Sequence, residues 1–347
     1  MSNKPVIYID GLNVFMRHFA ANPTKSLNGN LCGAIVGFLR NIEHLSAKFN
    51  PQKIVVAWEG GGSLRRRSID PDYKNGRRPV RLNRSSYYSD IPDTSENRNN
   101  QLKILIEILY ETPVTQIYVS DCEADDVISY LTKTKNVDHE KIIVTSDKDY
   151  YQLLDENTKI WSPNKKILID KKYVLDKWSV PAYNFCLVRC FAGDTSDGIK
   201  GIKGAGIKTM VKRFPELTQQ KEMSISDIIN ESSKKVNLKC KIKLYENIIN
   251  NKLLLHKNWK LMYLDSAMLS ADQVKKINHQ YDNKESSINK MNLLKIMNRE
   301  GLNFFNIHTF LIALKSSLRN KIQVKTKTFL SLASHFRKKS SKACLQI

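Results

Sequence analysis

Four short runs rich in β-branched residues punctuate the first 150 positions: VIYID (6–10), KIVVAWE (53–59), QIYVSD (116–121) and KIIVTSD (141–147). They are nearly continuous in apolar residues, the pattern of strands buried on both faces. The segments between them carry a different period. GAIVGFLRNIEHL (33–45) and NQLKILIEILYE (100–111) place apolar residues three and four apart, as one-sided helices do. Strands alternating with helices specify an α/β fold with a parallel sheet. In an open sheet of that kind, ligands bind beyond the carboxyl ends of the strands. Each run closes on an acid: Asp10, Glu59, Asp121 and Asp147. The fold therefore collects, at one edge, carboxylates that lie far apart along the chain. A single strand-end Asp is more often a helix cap or a turn former. Four together shift that balance.

More acids fall near the same edge. EADDVISYL (123–131) crowds Glu123, Asp125 and Asp126 into one helix start. A helix N-terminus favours one or two acids, but three repel one another unless a cation neutralises them. Glu123 and Asp126, three apart, can share a helix face. Asp125 and Asp126 are adjacent and cannot point the same way, so one of them is expected to act through water. SDKDYYQLL (146–154) supplies Asp147 and Asp149, and GDTSDG (193–198) supplies Asp194 and Asp197. No His is interleaved and no Cys has zinc spacing. Hard oxygen donors favour Mg²⁺ or Mn²⁺. Two divalent ions about 4 Å apart would neutralise such a set and suit in-line displacement at phosphorus.

Charge points to the partner. The 347 residues hold 56 Lys and Arg against 34 Asp and Glu, a formal net charge of +22. That balance implies a polyanion, nucleic acid first and a membrane surface second. The segment GGGSLRRRSIDPDYKNGRRPVRLNRSSYY (60–88) concentrates eight Lys/Arg with three tyrosines. It reads either as a solvated loop or as a track for a phosphate backbone with base stacking. Within it, Lys74 and Arg77 are candidates for holding a scissile phosphate. GIKGIKGAGIKT (198–209) fails as a Walker motif, because Lys208 follows Ile207, and it follows no strand. It reads instead as a glycine turn between short helices whose N–H groups face a phosphate. The six cysteines form no CxxC pair and read as reduced thiols. There is no signal peptide and no 18-residue apolar stretch, so a cytoplasmic chain with no membrane span is expected.

The organisation expected is an α/β core over 1–180, a helical, Lys-rich region over 181–314, and a basic tail over 315–347 with nine Lys/Arg and no acid.

The ordered motifs YIDGLNVFMR, AWE, SLRRR…DYKNGRRP, EADDVI, TSDKDYYQLL and FAGDTSDGIKGIKGAGIKT cover residues 5–215. Together they resemble the 5′-nuclease, or flap endonuclease, family, which includes stand-alone phage enzymes and the 5′-nuclease domain of bacterial DNA polymerase I. The chain is similar to the stand-alone phage type, including phage ribonuclease H, because no polymerase domain follows. The resemblance implies a PIN-like nuclease core. It implies a first metal at Asp10, Glu59, Glu123 and Asp125, and a second at Asp126, Asp147, Asp149, Asp194 and Asp197, some through water. Lys74 and Arg77 would act on the scissile phosphate, with Arg66 in support. Residues 62–100 would form an arch or clamp passing a 5′ single strand, with Arg65, Arg78 and Arg81 as nucleic-acid contacts. Residues 193–215 would form a helix–hairpin–helix gripping duplex through Gly201, Gly204, Gly206, Lys208 and Thr209, with a bound K⁺. Glu59 departs from the family's usual Asp.

The expected activity is metal-dependent 5′-3′ exonuclease and flap endonuclease cleavage of DNA and RNA–DNA hybrids. It would leave 5′-phosphate and 3′-hydroxyl ends during primer removal and flap processing. A monomer is expected, with a single-strand-binding protein or sliding clamp as a further partner of the C-terminal third, although no motif there identifies one. Two alternatives stay open: a compact acidic-site ribonuclease, and a non-catalytic DNA-binding replication factor.

Overall fold

The computed structural model describes residues 4–75, 95–219, 221–283 and 287–315. The expected strands are β1 (Val6–Asp10), β2 (Lys53–Trp58), β3 (Thr115–Tyr118) and β4 (Lys141–Val144). Two more follow, β5 (Thr158–Ser162) and β6 (Ile167–Ile169). Together they form one sheet in the order β3-β2-β1-β4-β5-β6, parallel except for β6, which runs antiparallel to β5. The order reverses between β1 and β4, the kind of switch point where open sheets bind ligands. Asp10, Glu59 and Asp147 all lie at the carboxyl ends of the strands around it.

Helices α1 (Gly11–Ala21) and α2 (Gly33–Phe49) connect β1 to β2. Helices α3 (Leu64–Ile69) and α4 (Ser95–Tyr110) lie between β2 and β3, and α5 (Ala124–Thr134) crosses from β3 to β4. Successive strand residues point to opposite faces, and β1 shows it. Ile7 and Ile9 enter a core shared with α1, α2 and α4, while Val6 and Tyr8 enter a second core on the other face with α5. Both faces are dry, which is why the strand runs read as continuous apolar sequence.

After β6 come α6 (Lys171–Trp178), α7 (Ala182–Ala192), α8 (Ile207–Arg213), α9 (Ile225–Asn237), α10 (Lys243–Asn250) and α11 (Lys252–Met262). Helices α7 to α11 bury a third core around Phe191, Met210, Phe214 and Ile228. Within the 193–215 range expected for a helix–hairpin–helix lie the glycine turn and α8, and α7 ends one residue before it.

The last helices of the 181–314 region pack on the α/β core. Helix α12 (Ala271–Asp282) returns to the sheet, where Ile277 and Tyr281 join the α5-side core. Helix α13 (Lys290–Arg299) and the helical stretch over 307–315 close over the other face, where Leu293, Phe305 and Phe310 join Phe15 and Phe38. One-sided helices carry the same period whichever core they cover.

No helix among the described residues is long and apolar enough to cross a membrane. The five described cysteines are free thiols. Phe310 is fully buried in the α/β core, so Phe310→Ala should cost about 3–5 kcal/mol. Urea denaturation should report this loss in the same transition that unfolds the sheet. A separate, earlier transition would show that the C-terminal helices form their own unit.

Candidate active site

The first carboxylates are placed by the sheet itself. Asp10 is the last residue of β1, in register with Ala57 of β2, so Glu59 lies two residues beyond it on the neighbouring strand. On the other side Ile9 pairs with Val144, which puts Asp147 three residues past β4. Asp10 also caps α1, accepting from the Asn13 N–H at 3.2 Å. Its second oxygen accepts from Thr145 Oγ1 at 3.2 Å and from the Tyr150 hydroxyl at 3.3 Å. The ordinary role and the functional one coincide here. Gly60 lets Glu59 reach the edge, because a Cβ there would lie 1.6 Å from the Val119 carbonyl oxygen. The fourth strand-end acid, Asp121, is exposed in a turn with φ 59° and stands outside the cluster.

The crowded acids at the start of α5 meet a cation, and it is Arg66. Its side chain, 1% exposed, donates from Nη1 to Glu123 at 2.6 Å and from Nη2 to Asp126 at 2.8 Å. Nη1 also reaches the second Asp126 oxygen at 2.9 Å and Asp125 at 3.2 Å, while Nε donates to the Leu261 carbonyl at 2.9 Å. All three guanidinium nitrogens are bonded. Arg66 is enclosed by these bonds, and both oxygens of Asp126 accept from it. Glu123 Oε2 further accepts from Lys74 Nζ at 2.7 Å and from the Tyr73 hydroxyl at 3.2 Å. Lys74 is held from behind by its own N–H, bonded to the Asp197 carbonyl at 2.9 Å. Its ammonium, with Arg67, Tyr73, Asn75 and Glu123, lines an open cavity of about 240 Å³.

A second group forms where the turn after β4 meets the loop after α7. Asp149, Asp194 and Asp197 each offer a carboxylate oxygen, and the three lie within 4.8 Å of one another. Asp194 is fixed by a reciprocal backbone pair with Ile199 at 2.8 Å. Its Oδ1 accepts from Ser196 N–H at 2.8 Å. Arg189 of α7 bridges this group through Nη2, to Asp149 at 2.7 Å and to Asp194. Nothing in the spacing singled out Arg189: it lies four residues before the GDTSDG loop, on a helix whose other residues are mostly apolar.

The two groups share one electrostatic field. Burial, then the charges of Asp147 and Asp125, push the Asp10 carboxyl up to about 7. Burial, then Asp125 and Asp10, push Glu59 up to about 8. Burial and Asp147 raise Asp149 to about 7. Burial also opposes charge on Asp125, but Arg66 and Lys74 outweigh it and hold that carboxyl below the usual range.

The remaining expected contacts divide. Arg65 is half-buried and donates to the Lys260 carbonyl at 2.9 Å, tying α3 to α11. Gly201 is packed against α7, where a Cβ would meet the Ala192 oxygen at 2.1 Å. Gly204, Gly206 and Lys208 are exposed on the hairpin, and Thr209 is half-buried. Arg77, Arg78, Arg81, the 76–94 stretch of the arch and all but the first residue of the basic tail lie outside the described residues.

The donors fit hard divalent cations. Asp149, Asp194 and Asp197 are all-oxygen and close enough to share one ion. At the first group, Asp10, Glu59 and Asp125 remain after Arg66 and Lys74 have taken Glu123 Oε2 and both oxygens of Asp126.

A family model described as the 5'-3' exonuclease, N-terminal resolvase-like domain, matches residues 5–179. The 5'-3' exonuclease of Buchnera aphidicola is 29% identical over 223 residues, 62% of this chain and 73% of that protein. That of Aquifex aeolicus is 30% identical over 210 residues, 60% of this chain and 68% of that protein. DNA polymerase I of Deinococcus radiodurans is 32% identical over 213 residues, but this chain spans only 21% of it. In fold, the T5 D15 protein co-crystallised with metal ions superposes with a TM-score of 0.63 at 19% identity, covering 84% of this chain and 99% of that one. The α/β sheet with acids at its carboxyl edge is a nuclease fold, and the chain belongs to the 5′-3′ exonuclease family. It is a phosphodiester hydrolase.

Two outcomes follow from this geometry. Arg66→Ala would strand the buried carboxylates of Glu123 and Asp126, and its cost should be about 3–5 kcal/mol, read as a fall in the urea midpoint; Arg66→Lys should recover only part of it. Glu59, raised from 4.5 to about 8, holds more protons folded than unfolded between those values, so its contribution to stability is lost as pH rises through that window. In EDTA, Glu59→Gln should melt above wild type at pH 8, with the gap closing near pH 4. A gap independent of pH would show that Glu59 is not protonated in the metal-free fold.

Proposed function

We propose that the protein is a divalent-metal-dependent 5′-3′ exonuclease and flap endonuclease that cuts DNA to leave 5′-phosphate and 3′-hydroxyl ends. The observation that carries this reading is the gathering of acids past one sheet edge: Arg66, Lys74 and Arg189 pair with Glu123, Asp125, Asp126, Asp149 and Asp194, and burial together with the nearby charge of Asp125 raises the proton affinity of Asp10, Glu59 and Asp147. Two divalent ions would offset most of the remaining charge and, when bound, supply Lewis-acid activation of water and stabilisation of the leaving oxygen. Asp10, Glu59, Asp125 and the free oxygen of Glu123 would hold one ion. Asp149, Asp194 and Asp197, with Asp147 directly or through water, would hold the other. Mg²⁺ is the expected metal, with Mn²⁺ as substitute.

Lys74 has the position to serve the phosphate. Glu123 and Tyr73 orient it, burial is partial, and the open cavity lies in front of it. An ammonium there would bind the scissile phosphate and stabilise charge on its oxygens in the transition state. The exposed hairpin glycines and Lys208 would hold duplex backbone, with K⁺ as the hairpin's expected ion. Activity on RNA–DNA hybrids and a role in primer removal belong to the same reading. The solved T5 flap endonuclease complex with DNA and metal ions, at 20% identity and TM-score 0.63, is consistent with it.

The direct test is a 5′-labelled flap duplex incubated with Mg²⁺ and then with EDTA. Cuts near the junction in Mg²⁺ alone are expected. Asp147→Asn and Lys74→Ala should each reduce cutting by about 10²-fold or more, with duplex binding within about threefold of wild type on the premise that backbone contacts dominate affinity. Tight binding without cutting in either Mg²⁺ or Mn²⁺ would make this a DNA-binding protein and sink the proposal.

A further inference from the structure

The two arginines of the site are held in different ways. Arg66 is locked: its three nitrogens make five bonds, and the side chain is 1% exposed. Arg189 is 14% exposed and grips Asp149 and Asp194 through Nη2 alone. Its Nε is buried and has no hydrogen-bond partner among the described residues. A guanidinium bound through one nitrogen, with a second left unsatisfied, is not at its best geometry for carboxylate, which is a two-nitrogen fork. Its two partners are also two of the three carboxylates close enough to share an ion. One oxygen of each is occupied by the arginine.

We propose that Arg189 is a resident, exchangeable counter-ion of the second acid group, displaced when a divalent ion enters. The inference rests on the metal reading above and deepens it. With neither an ion nor Arg189, the half-buried carboxylates of Asp149 and Asp194 would repel each other, a costly arrangement. Arg189 relieves that repulsion and keeps the loop after α7 docked on the turn after β4. An arriving ion competes with it for Asp149 and Asp194. Release of the arginine frees one oxygen on each, so the second ion binds more weakly than the carboxylate count alone implies. The first group differs: Arg66 and Lys74 pair with Glu123 and Arg66 reaches Asp125 at 3.2 Å, but no ion pair is made by Asp10 or Glu59 among the described residues. Arg189 is a positioning residue in this scheme and touches no substrate.

The test counts Mn²⁺ by the paramagnetic resonance signal of the free ion, with no nucleic acid present, on the full chain. Wild type should show one tighter and one weaker class. Arg189→Gln should tighten the weaker class by about tenfold or more, the scale of one charge-assisted hydrogen bond, and leave the tighter class unchanged. Arg189→Lys, which keeps the charge, should stay close to wild type. Melting provides an independent readout: Arg189→Gln should lose stability in EDTA and regain it in saturating Mn²⁺. An unchanged or weaker second class in Arg189→Gln would overturn the inference, as would a stability loss that Mn²⁺ does not restore. If neither wild type nor Arg189→Gln binds Mn²⁺, the metal reading itself fails and this inference fails with it. Two classes with equal affinities in both proteins would remove only the role of Arg189.

Discussion

The site depends on one buried guanidinium. Arg66 enters from α3, crosses to the start of α5, and binds three carboxylates that could not otherwise sit together out of water. Through Nε it also fixes the carbonyl of Leu261 at the end of α11. Three segments far apart in sequence therefore meet on one cation. Desolvating charge is expensive unless partners are close and hydrogen bonds complete. Here they are complete, so the arginine sets where the acids stand rather than merely neutralising them. Lys74 then attaches to Glu123, and its backbone attaches to Asp197.

The sheet supplies the other half of the constraint. Parallel strands share a direction, so whatever follows their carboxyl ends converges. Asp10, Glu59 and Asp147 converge for that reason, and burial together with the nearby charge of Asp125 raises the proton affinity of all three. Such tension is typical of sites in which groups are held for chemistry rather than for stability. The fold tolerates it because the strands beneath are dry on both faces, and because the helices α12 and α13 return from the helical region to seal them.

The helical region contributes more than a platform. Its α7 presents Arg189 and leads directly into the loop that carries Asp194 and Asp197. Its α11 receives Arg65 through Lys260 and Asp70 through Lys257. The α/β core and the helices therefore complete a single acidic site between them. A substitution in either part that loosens their contact would disturb the carboxylates as directly as one in the strands.

Much of this was legible in the chain. Continuous apolar runs show strands buried on both faces, and the acids that end them show where a ligand would sit, because burial and period are local properties of a segment. The motifs carried the family and most of the carboxylates. Strands β5 and β6 were not legible, since β6 is three residues long and mostly exposed. Arg65, Arg66 and Arg67 look alike in sequence, and the turn of a six-residue helix buries only the middle one. Arg189 resembled any basic residue near a helix end. The sequence by itself determined the sheet, the edge and the chemistry of its donors. Only the tertiary structure decided which cation meets which acid, and where the last helices pack. Those choices depend on contacts between segments that carry no mark of one another until folding brings them together.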